Sequence, residues 1–241
     1  MNRSYEHKAV ARQYNLTELK LKTAIHEAGH AASIYLGNQQ KRLPPVFFQI
    51  TISGLSSRQK NLKNCFAKVD GGRLIHTLNS SVNEAVRDFS AAQKQAYLNA
   101  FDADIVNFLV GPLAEANYIA TMNDDIFDPA LLNLSALPAY GGDADLQAVN
   151  DYLDCFSDDP LMRQDKIDAL FAVAFAFINE RNNWQAIIAL TQAILASKKD
   201  LISYQEIVSV LDAHHAGQHR TGKRQRIRPM PRAAIGEVAG R

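Results

Sequence analysis

Three residues in this chain have the types and spacing to hold a metal ion and work beside it. His26, Glu27 and His30 form His-Glu-x-x-His within Thr23-Ala24-Ile25-His26-Glu27-Ala28-Gly29-His30-Ala31-Ala32. On a helix, positions i and i+4 stack on one face, so His26 and His30 can present two imidazoles to one ion. Zinc takes neutral histidine nitrogen and keeps an open position in catalytic sites. Glu27 lies about 100° around the helix from His26, beside the ligands, where a carboxylate can take a proton from a water that the metal activates.

The neighbouring residues argue that the motif is not a coincidence. Leu21, Ala24, Ile25, Ala28, Ala32 and Tyr35 recur at helical spacing and predict a helix over about 17–36, with Asn15 or Thr17 as its cap and Gly37 just past its end. Gly29 costs about 1 kcal/mol relative to alanine in mid-helix. Its presence implies that another element approaches closely there.

A catalytic zinc commonly has a third protein ligand. His7 and His76 lie in polar or strand-like contexts. His214, His215 and His219 precede a basic tail, and His215 and His219 share the i, i+4 spacing, but Ala216 stands where a base would be and Gly217 weakens the helix between them. Carboxylates remain, and Glu115, Asp143 and Asp145 are the candidates in helix-forming, partly apolar surroundings.

Elements that could position these residues follow along the chain. Val46 to Ser53 alternates apolar and polar residues and predicts a strand, which at a sheet edge could bind an extended peptide. Cys65 to Val69 predicts a returning strand, with Gly71-Gly72 as a turn and Leu74 to Leu78 continuing it. Ser81-Val82-Asn83-Glu84 has the form of a capping box before a long helical region over 82–121, with a break near Ser90 and a kink or restart at Pro112. Residues 122–139 read as irregular, and Tyr140 to Asp143 as a turn into a helix over 144–156, with Asp143 suited to its N-cap. Asp159-Pro160 opens a helix running to about Asn182. Trp184 to Ser197 and Ser203 to Ala213 complete a mainly α chain with a small sheet, an α+β fold.

The chain has 241 residues, a formal net charge of +1 and 47% hydrophobic residues, the balance of an ordinary globular domain with no general demand for nucleic acid. The first fifteen residues are polar and lack a secretory h-region, and the longest apolar run, Ala169 to Ile178, is too short to span a membrane. Cys65 and Cys155 are isolated and read as reduced packing residues, so a cytoplasmic location is expected. The division expected is a lead-in over 1–16, a domain over 17–216 and a basic, disordered tail over 217–241 carrying Arg220, Lys223, Arg224, Arg226, Arg228 and Arg232. Such a tail could tether an anionic partner.

Taken together, these segments show a resemblance. His26-Glu27-Ala28-Gly29-His30-Ala31 resembles the signature of the FtsH-type peptidase domain, the zinc protease half of an ATP-dependent membrane protease. Val110 to Glu115 resembles that family's Gly-Gly-Arg-x-Ala-Glu segment, and Gly142 to Leu146 its Ser-Asn-Asp-Leu segment. Phe177 to Trp184 and the two helices after it resemble its C-terminal helices, so the likeness covers about residues 15–213. The resemblance implies a zincin-like peptidase fold, a Zn2+ cofactor, Asp145 as third ligand and Glu115 as an acid near the metal that orients a ligand. Val110 and Pro112 depart from the family pattern. The chain contains neither Gly-x-x-x-x-Gly-Lys-Ser/Thr nor a membrane segment, so ATP-driven degradation is not implied for this chain by itself.

The function expected is therefore a standalone, ATP-independent zinc metallopeptidase acting on peptides or unfolded proteins, as a monomer or a homo-oligomer. The alternatives are a non-catalytic metal-containing module and a peptidase subunit that serves a separate ATPase. The intact Glu27 argues against the first alternative, because a purely structural site needs no base there.

Overall fold

The computed structural model of the chain describes residues 16–53, 66–73, 75, 81–129 and 132–215. The polar lead-in, Cys65, His76, the expected strand continuation over 74–78 apart from Ile75, and the basic tail with His219 lie outside the described residues.

The motif lies on α1 (Leu16–Ala32), which is followed without a break by a π-helical turn (Ser33–Gly37) and a last short turn, α2 (Asn38–Gln40). Every residue from Ala24 to Ala32 is buried. The helix is thus enclosed on all sides over the motif, which explains its small residues. Gly37 does not end it, because its φ of −63° and ψ of −40° are ordinary helical angles. The chain leaves the helix five residues later. Arg42 adopts a left-handed φ of 54°, its N–H donates to Gln39 O, and Leu43 N–H donates to Asn38 O, a Schellman arrangement.

The sheet is small and antiparallel, with strands β1 (Phe48–Ile52), β2 (Ala67–Gly71) and β3 (Leu201–Ile202) in the order β2-β1-β3. Phe48, Ile50 and Ile52 of β1 face the core, as the alternation predicts. However, β1 is the central strand, so it cannot be the peptide-binding edge that the sequence suggested. Two residues of β3, from a turn some 150 positions downstream, cover its far side. β2 pairs only with β1 among the described residues, and its other side is an edge.

The remaining elements are helices. α3 (Val82–Ala85) and α4 (Ala91–Met122) each begin with a capping box, Ser81 with Glu84 and Ser90 with Gln93, and the break before Ala91 falls where the sequence predicts it. α4 runs through Pro112 as one helix, so no restart occurs there. Packing overrides the local cost: Pro112 and its neighbours Val110, Gly111 and Leu113 are all buried. The irregular 122–139 segment ends in a 3-10 helix (Leu134–Tyr140) and a left-handed Gly141. α5 (Asp143–Phe156) follows, with Gly142 as N-cap, so Asp143 is the first helical residue instead of the cap. α6 (Pro160–Asn179) is capped by Asp159, and α7 (Arg181–Ala196) by Glu180 at a single-residue junction. α8 (Tyr204–His215) is capped by Ser203 with Glu206.

α1 packs between α4 and α7, and α4 is backed by α5 and α6, all within one hydrophobic core. Among the described residues no helix is long and apolar enough to cross a membrane.

Gly29 shows how tight the α1–α4 crossing is. A Cβ there would lie 2.8 Å from Ala114 Cβ and 3.0 Å from Val110 O. Gly29→Val should therefore destabilise the fold by roughly 1–3 kcal/mol through overpacking. Denaturant unfolding measures this, and an unchanged or higher midpoint would refute the tight crossing.

Candidate metal centre

The centre forms where α1, α4, the start of α5 and the edge of β2 meet. His26 Nε2 lies 3.1 Å from Asp145 Oδ2, and His30 Nε2 lies 3.1 Å from Asp145 Oδ1. The ligand atoms of His26, His30 and Asp145 all fall within 4.8 Å of one another. The two imidazoles meet edge to face, with centroids 4.8 Å apart. Asp145 sits in the first turn of α5. The left-handed Gly141, which lines the site beside His26, turns the chain into that helix.

The other ring nitrogens are also directed. His30 Nδ1 is 2.7 Å from Asn107 O, so its N–H donates to that carbonyl, and Nε2 is the nitrogen turned to Asp145 and the one that would meet a metal. His26 Nδ1 faces Glu115 Oε2 at 3.6 Å, while Glu115 Oε1 takes an ion pair from Lys22 Nζ at 2.9 Å. This outer ring of acceptors is what orients metal-ligating histidines. Glu115 thus lies behind His26, away from the point where the two Nε2 atoms converge. Asp143 is exposed at the mouth of α5. Of the three carboxylates left open by the residues alone, the structure brings Asp145 to the imidazoles.

Glu27 is buried on the neighbouring face of α1, and its Oε2 accepts a hydrogen bond from Val69 N–H of β2 at 2.7 Å. The centre opens into a cleft of about 560 Å³ lined by His26, Glu27, His30 and Asp145 on one side and by Lys68 to Arg73 on the other. A buried network fixes the end of β2 over this cleft. Arg73 donates to Asp104 and Asn38 at 2.8 Å each, Tyr152 OH donates to Asp104 at 2.8 Å, and Ile75 N–H donates to Tyr152 at 2.9 Å.

Charge is concentrated here. Burial pushes the His26 pKa down, but Asp145 and Glu115 outweigh it and raise it to about 10. His30 is raised as well, burial opposing and Asp145 prevailing. Asp145 is held well below the usual carboxylate range: burial would raise it, and the two histidines overcome that. Glu115 is lowered against burial by His26 and Lys22. The carboxylates thus favour positive charge at the point where the imidazoles converge, the charge a divalent cation would bring.

Two histidine nitrogens and one carboxylate fit zinc, and the same donor set also serves non-haem iron. Sequence reasoning missed Asn107, Lys22 and Val69. Asn107 and Val69 act through main-chain groups, which carry no side-chain signal. Lys22 could have been noticed, since it lies one helical turn before His26.

No family model matches this chain, and no curated protein matches it.

The purified chain should bind about one zinc, and alanine at His26, His30 or Asp145 should lower occupancy sharply. Glu115→Ala should weaken affinity roughly 10–100-fold, the usual cost of losing a group that orients a ligand. Elemental analysis after dialysis decides it. Full retention in Asp145→Ala with loss in Glu115→Ala would reassign the third ligand, and iron in place of zinc would change the metal.

Proposed function

We propose that the chain is a zinc-dependent metallopeptidase of the FtsH-like, zincin type, standalone and ATP-independent. One observation carries the reading: a carboxylate base, Glu27, borders the same cleft as the convergent His26, His30 and Asp145, and a strand edge that is open among the described residues lines it too. The base separates hydrolysis from iron chemistry, which calls for no carboxylate in that place.

His26, His30 and Asp145 would hold the ion. Zinc in such a setting polarises a carbonyl and brings the pKa of a coordinated water towards neutrality. The chain's own residues do the rest. Glu27 accepts a proton on its carboxylate from the attacking water and delivers it to the leaving amine. Asn107 O and Glu115 hold the imidazole rings in orientation, and Lys22 holds Glu115. The outer edge of β2 binds an extended peptide by strand addition, the role the sequence reading had offered to β1. Substrates are peptides and loosely structured proteins, because a folded substrate must first open locally against its own stability.

Glu27→Gln keeps the shape but cannot accept the proton. It should retain zinc and stability and lose roughly 10²–10⁴-fold in cleavage of an unstructured protein. A stable folded domain should resist the natural chain, and ATP should change nothing. Equal cleavage by the natural chain and the Glu27→Gln variant would sink the mechanism.

A further inference from the structure

The hydrogen bond between Val69 and Glu27 joins the base to the strand edge, and the sheet register shows what else that amide can do. Ser53 N–H donates to Phe66 O at 2.8 Å and Gly72 N–H to Phe47 O at 3.3 Å. These bonds flank the pairs Ile52–Ala67 and Phe48–Gly71, so the main-chain groups of those paired residues point away from each other. By the antiparallel alternation the Ile50–Val69 pair, midway between them, does the same. The N–H and C=O groups of Ala67, Val69 and Gly71 are therefore the outward row of β2, the row a further strand would use. Val69 is the middle of the three. Its N–H meets Glu27 Oε2 at 2.7 Å, a length typical of a charge-assisted bond.

We propose that the Val69 amide is a shared donor, held by Glu27 without peptide and taken by a substrate carbonyl when an extended chain pairs with β2, so that strand addition itself releases the base. This rests on the peptidase reading for its catalytic half. One N–H serves a single acceptor well, and a strand laid along β2 needs this donor to continue the ladder. α1 is buried over the whole motif, so the helix stays in place and the Glu27 side chain turns. The carboxylate then loses a strong donor inside the cleft, and the water to be deprotonated is the donor that replaces it. Val69 is in this sense a positioning residue acting through its main chain. The coupling keeps the base engaged until a chain lies in register.

The test removes each partner of the bond in turn. Glu27→Gln keeps an oxygen that accepts from Val69, and Glu27→Ala does not. Both are hydrolytically silent when zinc-loaded. Binding of fluorescein-labelled casein, an unstructured protein, is read by fluorescence anisotropy. Glu27→Ala should bind about fivefold more tightly than Glu27→Gln, because no side chain competes for the donor. Replacing Val69 by its α-hydroxy-acid analogue turns the N–H into an ester oxygen; it removes no donor to β1 and weakens only the Lys68 carbonyl as an acceptor from Thr51. In the Glu27→Ala background this should weaken binding about tenfold. In the natural background it should raise KM for casein with kcat within about twofold of the natural value. Zinc content and thermal unfolding verify that each variant is folded.

Equal binding by the two Glu27 variants would overturn the proposal, as would absence of casein binding in every variant. An ester that lowers kcat with KM unchanged would overturn it too, since Val69 would then be a fixed anchor for the base. A natural chain that cleaves nothing, with the expected binding pattern intact, would defeat the peptidase reading and leave the shared donor standing.

Discussion

A Cβ at position 111 would lie 2.2 Å from His30 Nε2, and one at position 29 would lie 2.8 Å from Ala114. Gly29 lets the backbones of α1 and α4 approach closely, and Gly111 leaves the space that the His30 ring fills. The rest of the centre depends on that contact. It places Asn107 O within hydrogen-bonding distance of His30 Nδ1, and brings Glu115, two turns further along α4, behind His26. The cost of glycine in a helix, about 1 kcal/mol each relative to alanine, is offset by burial of α1 from Ala24 to Ala32.

Enclosure creates an electrostatic problem, because two imidazoles and the carboxylates of Glu27 and Glu115 are buried beside the half-buried Asp145. Unpaired buried charge is expensive. Each group is engaged: Asp145 with both histidines, Glu115 with Lys22 and His26, and Glu27 with Val69 N–H. A π-helical turn directly after α1 adds one more constraint, with Ser33 donating to the side chain of the same Asn107 whose carbonyl takes His30. Such turns are frequently found at functional sites.

The opposite wall is held differently. β2 is short and, among the described residues, open on one side, and Gly71 and Gly72 both adopt φ of 117° at its end, which L side chains rarely reach. The strand is secured from beyond that turn, where Arg73, Asp104, Asn38 and Tyr152 join the segment to α2, α4 and α5. A half-buried arginine paired with a buried aspartate there favours a fixed wall, since losing Arg73 would leave the buried Asp104 without its cation.

The sequence by itself determined the local features. The spacing of His26, Glu27 and His30 needs only helical geometry, and the caps at Ser81, Asp159 and Ser203 are nearest-neighbour chemistry; these three stand where the residues predict them, and the break expected near Ser90 is a further cap. The mainly helical content with a small sheet was legible for the same reason, as periodicity is a local signal. Tertiary structure decided everything that joins distant segments. It brought Asp145, 119 positions from His26, against both imidazoles, while Glu115 reaches His26 alone and Asp143 stays exposed. It made β1 central by laying β3 against it, moved the open edge to β2, and carried α4 through Pro112 and α1 through Gly37. Burial against other elements outweighed the local breaking tendency of Pro112, and Gly37 keeps helical angles between the buried Leu36 and Asn38; no window of sequence contains the partners that bury them.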